Sequence, residues 1–405
     1  MGVLQSAHHR REESMPKRVR TAERMSRLGT ESAFEMFDRA RALEAAGRDV
    51  IHLEIGEPDF DTPAHIVDAA IQALHDGHTH YTPAAGMPVL REAVAAYTRR
   101  TRAIEVTADR VVVTPGAKPI VFFALLALVG EGDEVIYPDP CFPIFPSMIR
   151  FAGGRPVPIP LSLEGGFSFG AAELAERLTS RTRLLILNSP ANPTGAVHSP
   201  EQLAAIARLA QEHDLVVLSD EIYSRIVYDE PFHSIASVPG MAERTIVLDG
   251  FSKTYAMTGW RLGWGVLPAW LVEPVTRLMI NSNSCTAAFS QVAGAAALNG
   301  SQAPVDAMVA AFRERRELVV AGLNRVPGFD CLAPQGAFYA FPRISATGLR
   351  SRALADYLLN EAGVAVLAGS TFGDSGEGYL RLSYASSLER LASALERIDA
   401  AVRRL

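Results

Sequence analysis

From residue 111 onward the chain alternates short, mostly apolar runs with longer helical patterns. Runs of strand length lie at 111–113, 134–137, 184–187, 215–218 and 245–248, and helices are predicted at about 119–129 and 200–213 between them. An apolar run that does not alternate with polar residues marks a strand covered on both faces. The pattern therefore predicts an α/β fold with a mainly parallel sheet and helices on each side. After residue 300 helical patterns dominate and strands become few, which reads as a second, smaller unit. A helix at 31–46, stopped by Gly47, is expected to join it. No repeat and no Pro/Gly/Ser-rich linker divides the chain.

In sheets of this kind a ligand lies outside the carboxyl ends of the strands, so the polar residues just after each apolar run are the candidates. The first run leads into Thr114-Pro115-Gly116-Ala117-Lys118 at the start of a helix, and the third into a turn with Asn188, Asn192, Pro193, Thr194 and Gly195. The fourth leads into Ser219-Asp220-Glu221-Ile222-Tyr223, and the fifth into Asp249-Gly250-Phe251-Ser252-Lys253, with Arg261 eight residues on. A helix N-terminus and an arginine suit a phosphate. A partly buried lysine beside a cation loses its proton readily and attacks a carbonyl. An aspartate at a buried strand end needs a positive partner, and a protonated pyridine nitrogen is one. Phosphate, aldehyde and pyridine in one ligand describe pyridoxal phosphate.

Charge and composition narrow the partners. The chain has 405 residues, a prior of two to three domains, and 48% hydrophobic with 21% charged residues, which are ordinary globular values. Net charge is −6, but residues 1–27 hold seven basic and three acidic groups, so the rest carries −10. An acidic body argues against a nucleic-acid surface, and 1–27 reads as a basic, mobile tail in which Met15 is an alternative start. The longest apolar run, 120–129, is ten residues, too short to span a bilayer, and the N-terminus lacks a signal-peptide core. Three scattered cysteines fit reduced thiols in the cytoplasm. His75, His78 and His80 sit in a Gly-containing turn with no other ligand pattern and are read as a loop, not a metal site. Neither dinucleotide nor P-loop fingerprints occur.

The segment from Gly250 through Lys253 and Arg261 to Gly263 closely resembles the cofactor-lysine motif of the class I/II pyridoxal-phosphate aminotransferases. Asn192-Pro-Thr-Gly195, Asp220-Glu-Ile-Tyr223, Gly56-Glu-Pro-Asp-Phe60, Tyr81-Thr-Pro-Ala-Ala-Gly86 and Arg381-Leu-Ser-Tyr384 match in the family's order. The resemblance implies fold type I: a seven-stranded, mainly parallel sheet with helices on both faces, plus a smaller α+β domain. On that reading 28–60 joins the small domain, 61–295 is the large cofactor domain and 296–405 is the small C-terminal domain.

The resemblance also implies roles. Lys253 is the Schiff-base and proton-shuttling lysine, and Asp220 pairs with the pyridine nitrogen. Asn192 and Tyr223 bind the phenolic oxygen. Arg261, with the backbone at Gly116, Ala117 and Lys118, holds the phosphate, and Phe142 stacks on the ring. Arg381 takes the substrate α-carboxylate, helped by Gly56 and Asn192. Tyr81 reaches the neighbouring subunit's phosphate, so a homodimer is implied. The expected reaction is ping-pong amino transfer between an L-α-amino acid and a 2-oxo acid; lyase, γ-replacement or oxidase chemistry would use the same residues. Two departures stand out. Gly250 replaces a serine that many members carry, and Phe142 stands where the aspartate-specific branch has tryptophan, favouring an aromatic or aliphatic donor. The distal pocket is expected near 30–36 and 369–374.

Overall fold

The computed structural model describes residues 20–29 and 32–405, so most of the expected basic tail lies outside the described residues. Residues 20–29 are exposed and carry one 3-10 turn, Glu23–Arg27, which buries nothing. The described strands are, in chain order, β1 (Ile51–His52), β2 (Val111–Thr114), β3 (Glu134–Asp139), β4 (Arg155–Pro160), β5 (Thr182–Asn188), β6 (Val216–Asp220), β7 (Thr245–Gly250), β8 (Gly263–Val266), β9 (Tyr339–Ala340), β10 (Val364–Ala365), β11 (Leu367–Ala368) and β12 (Leu380–Ser383).

Seven of them form the central sheet in the order β2-β8-β7-β6-β5-β3-β4. Every pair is parallel except those made by β8, which runs against both β2 and β7. The apolar runs read from the sequence are the interior of this sheet: Val111, Val112, Val113, Leu184, Leu185 and Ile186 have no exposed surface. Two strands escape that reading. β4 contains three prolines, which removes ladder donors, and it is tolerated because it lies at the sheet edge. β8 is Gly-Trp-Gly-Val, too short and glycine-rich to stand out. Its glycine has a packing reason: a Cβ at Gly263 would lie 2.5 Å from the Ala117 nitrogen and 2.6 Å from the Gly116 carbonyl carbon. The strand thus presses against the turn that opens the next helix.

The helices obey local chemistry. Pro200–Glu212 starts with a capping box, the Ser199 hydroxyl accepting from the Gln202 N–H at 3.3 Å while Gln202 Oε1 accepts from the Ser199 N–H at 2.9 Å. Lys118–Leu128 has proline in its first turn and buries Ile120, Val121, Phe123, Ala124 and Leu125 against the sheet. The expected helix at 31–46 is Ser32–Ala45.

Two small sheets complete the frame. β1 pairs in parallel with β10, and β11-β12-β9 is antiparallel. A backbone bond from the Ser383 N–H to the Leu53 carbonyl, 2.8 Å, ties the strand bearing Arg381 to the segment leading into Gly56. N-terminal and C-terminal segments therefore meet here.

Candidate active site

The carboxyl ends of the parallel strands open into a cavity of about 500 Å³. Ten of the twelve residues singled out from the sequence line it: Gly56, Ala117, Lys118, Phe142, Asn192, Asp220, Tyr223, Lys253, Arg261 and Arg381. Gly116 sits directly behind, its left-handed backbone (φ +86°) leaving no room for a Cβ beside the Arg261 guanidinium. Tyr81 lies elsewhere, 90% exposed on the surface of its own chain.

β6 ends in Asp220 and the turn after β7 carries Lys253, so adjacent parallel strands deliver an acid and an amine to one place. Lys253 Nζ donates to the Gly56 carbonyl and lies 5.9 Å from the centre of the Phe338 ring. Burial lowers its pKa to about 8; Glu57 opposes the shift, while Arg381, Lys118 and Arg261 reinforce it. About a tenth of the amine is therefore uncharged at pH 7, and that share can act as nucleophile or base. Asp220 moves the other way. Burial raises its carboxyl to about 7, against the Ile222 N–H that donates to Oδ1 at 3.2 Å, with Asp249 and Glu221 adding to the rise and Lys253 opposing it. A buried acid in that condition is suited to a cationic partner.

The turn after β5 is fixed from within. The Asn192 N–H donates to Asn188 Oδ1 at 2.9 Å, and Asn192 Oδ1 in turn accepts from Arg381 Nη1 at 3.5 Å. Arg381, 4% exposed, also donates through Nη2 to the Glu54 carbonyl. Its guanidinium lies 4.6 Å from the Tyr339 ring centre and 5.1 Å from that of Phe372. Aromatic contact on the guanidinium restricts its orientation, so its donors are aimed before any ligand arrives. Arg261 has positive φ (52°) and donates from Nη1 to the Thr258 carbonyl at 2.7 Å. Lys118 Nζ lies 5.2 Å from the Phe142 ring centre.

Tyr339 lines the cavity but carried no sequence signal. Tyr339 is 1% exposed, and its hydroxyl shares a 2.7 Å hydrogen bond with that of Tyr223. It reaches the site only because β9 pairs with β12, placing Tyr339 opposite Ser383, two residues from Arg381. Glu57 accepts from the Thr258 hydroxyl, and its charge acts on Lys253. Phe34, within the segment expected at the distal pocket, lines the cavity. From the other expected segment, Phe372 packs on Arg381.

The donor set fits pyridoxal phosphate. A depressed lysine suits its aldehyde, a raised buried aspartate its ring nitrogen, and an arginine with a helix N-terminus its phosphate. Among the described residues no cluster of metal-ligating side chains occurs, and no helix is long and apolar enough to cross a membrane.

Comparison with known proteins agrees with this geometry. The family model for aminotransferase class I and II matches residues 48–398. The chain is 42% identical over 386 residues to an aspartate aminotransferase of Pyrococcus abyssi, covering 94% of this chain and 98% of that one. It is 41% identical to aromatic-amino-acid aminotransferase 2 of Thermococcus litoralis, covering 93% and 97%. The solved structure of Thermus thermophilus aspartate aminotransferase with maleate superposes with a TM-score of 0.91 at 38% identity, covering 95% and 100%. Fold, cofactor chemistry and reaction class thus agree with the sequence reading, and the chain belongs to the class I and II aminotransferase family, as a pyridoxal-phosphate-dependent transaminase of fold type I.

Proposed function

We propose that the cavity moves an amino group from an L-α-amino acid to a 2-oxo acid in two half-reactions at one site, with Lys253 as the proton-transferring base. The observation that carries this reading is the convergence of Lys253, Asp220, Arg261 and Arg381 on a single cavity. Pyridoxal phosphate, when bound, supplies an aldehyde that bonds amines and a protonated ring that accepts electron density from the attached carbon.

The residues do the rest. Arg261 and the N-terminus of the helix Lys118–Leu128, with Gly116 leaving room, hold the phosphate. Asn192 and Tyr223 would hydrogen-bond the phenolic oxygen, and Phe142 would pack on the ring. Asp220 keeps the proton on the ring nitrogen. Arg381, oriented by Tyr339 and Phe372, grips the substrate α-carboxylate with Gly56 and Asn192 beside it. Lys253 Nζ, lowered to about 8, would take the proton from the substrate α-carbon and hold it for return. Because donor and acceptor share the site, the kinetics are ping-pong.

Phe34, Ile55, Phe142 and Tyr339 make much of the lining apolar, which supports an aromatic or aliphatic donor. Lys118 supports a second reading: its ammonium in the same cavity suits an acidic side chain. A donor–acceptor panel read by cofactor absorbance decides between them, and Lys253→Ala abolishes turnover with every pair.

The working unit is a homodimer in the cytoplasm. The 90% exposed Tyr81 supports the dimer, since a ring so placed is available to a neighbouring subunit's phosphate. Within each subunit, residues 61–295 form the large cofactor domain, while 28–60 and 296–405 form the small one. The joining of β1 to β10 supports that division.

A further inference from the structure

A second set of charges lies beside Asp220 but outside the cavity lining. Arg102, the last residue of the helix Pro88–Arg102, has a side chain only 1% exposed. Its Nε donates to Glu221 Oε2 at 2.6 Å, and its Nη2 donates to Ser224 Oγ at 3.0 Å and to Asp249 Oδ2. Glu221 Oε1 accepts from the hydroxyls of Ser219 at 2.9 Å and Ser234 at 2.5 Å. Asp249 Oδ1 accepts from the Gly250 N–H at 2.6 Å, and the Ser224 hydroxyl donates to Asp249 Oδ2 at 3.3 Å. The rings of Tyr97 and Phe232 lie 5.6 and 5.9 Å from the guanidinium carbon.

One buried cation faces two buried carboxylates; burial raises that of Asp249 to about 6, so near neutrality it is mostly ionised and a surplus negative charge remains. Such triplets are costly to desolvate, and apolar side chains of similar volume often do as well or better for stability. The surplus therefore requires another explanation, and its position suggests one. Asp220 on β6 is paired with Leu248 on β7, and the Glu221 N–H donates to the Leu248 carbonyl at 2.9 Å. Glu221, just past the end of β6, and Asp249 on β7 are thus each one residue beyond that pair. Both act on Asp220 in the same direction. Other charged or titratable groups nearby are Lys253, which opposes them, Tyr223 beside Asp220, Tyr97 on the Arg102 helix, Tyr255 near Asp249, and Arg225, which is paired with Asp306 at 2.9 Å.

We propose that Glu221 and Asp249, held by Arg102, are positioning residues that back Asp220 with surplus negative charge and so hold the proton on the cofactor's ring nitrogen. This rests on the assignment of Asp220 to that nitrogen. The cost of burying the triplet is then offset in function, because a cationic ring is the form that drains electrons from the reacting carbon.

Glu221→Gln and Asp249→Asn each remove one negative charge at nearly constant shape. Holoenzyme is reconstituted with cofactor isotope-labelled at the ring nitrogen, and the protonation of that nitrogen is followed by NMR against pH. The midpoint falls by about one pH unit, a tenfold change, as expected for the loss of one unit charge roughly 10 Å away in a protein interior. A folded variant with an unchanged midpoint overturns the proposal, even where urea shows lost stability, because that is what a merely structural triplet would give. Asp220→Asn separates the backing from the assignment it rests on. If the nitrogen ignores Asp220→Asn, the assignment of Asp220 fails; if it responds to that change but not to Glu221→Gln or Asp249→Asn, only the backing fails.

Discussion

Gly56 is where one added methyl group tests the site's internal logic. A Cβ built there falls on the Tyr339 hydroxyl, 2.9 Å from Cζ and 3.0 Å from Cε1. Tyr339 has little freedom to retreat. It is 1% exposed, its hydroxyl is bound to that of Tyr223 at 2.7 Å, and its ring lies against Phe338 with centroids 4.9 Å apart. The same ring carries the Arg381 guanidinium at 4.6 Å. Gly56→Ala therefore pushes on the support of Arg381, the proposed carboxylate-binding residue, and on Tyr223, the proposed ligand of the phenolic oxygen, together. Overpacking of this kind costs about 1–3 kcal/mol, and if it is expressed at the binding step, affinity for the donor falls roughly five- to 150-fold. The assay is steady-state KM and kcat for the donor, with the dissociation constant of a non-reacting carboxylic acid measured alongside. Adding Tyr339→Phe removes the hydroxyl that the methyl meets and recovers part of the loss. A Gly56→Ala enzyme with donor KM and acid affinity within twofold of wild type would refute the role given to Tyr339.

The same geometry sets two further outcomes. Arg381→Lys keeps the charge but loses the planar fork, so donor KM rises about ten- to 150-fold, the worth of one strong charge-assisted bond; an unchanged KM removes Arg381 from the carboxylate. In the apoprotein, Asp220 has a folded pKa of about 7, above the ordinary carboxylate value of 3.8. The folded state then binds the proton more tightly than the unfolded state. The associated stability is full below about pH 4 and is lost as pH rises toward about 7, a slope that urea titrations detect and Asp220→Asn flattens.

The sheet was legible because apolar runs at 111–113, 184–187 and 245–248 are buried on both faces, a condition that leaves a direct mark on the sequence. The strand-end residues were legible for the same reason, since each run points to the polar residues just past its carboxyl end. β8 and β4 were not, one being four residues with two glycines and the other an edge strand rich in proline. Tyr339 was hidden more deeply. Its place beside Tyr223 and Arg381 comes from strand pairing between segments about forty residues apart, and neither spacing nor hydropathy encodes that register. Arg102 was hidden likewise, as one basic residue near the end of an arginine-rich helix; Arg99 and Arg100 sit at its surface while Arg102 alone turns inward. Tyr81 illustrates the opposite limit, because its suggested partner lies on another subunit and a single chain leaves it exposed.

The central claim is amino transfer through one site governed by Lys253, and a single half-reaction tests it most directly. Holoenzyme is mixed with one amino donor and no acceptor, and cofactor absorbance and released products are recorded together. The visible band is predicted to convert to that of the amino form, with one equivalent of 2-oxo acid released per subunit. No free ammonia is expected, the band returns on adding a 2-oxo acid, and none of this occurs with Lys253→Ala. Continuous release of ammonia without an acceptor, or a Lys253→Ala enzyme that completes the exchange at the wild-type rate, would contradict it.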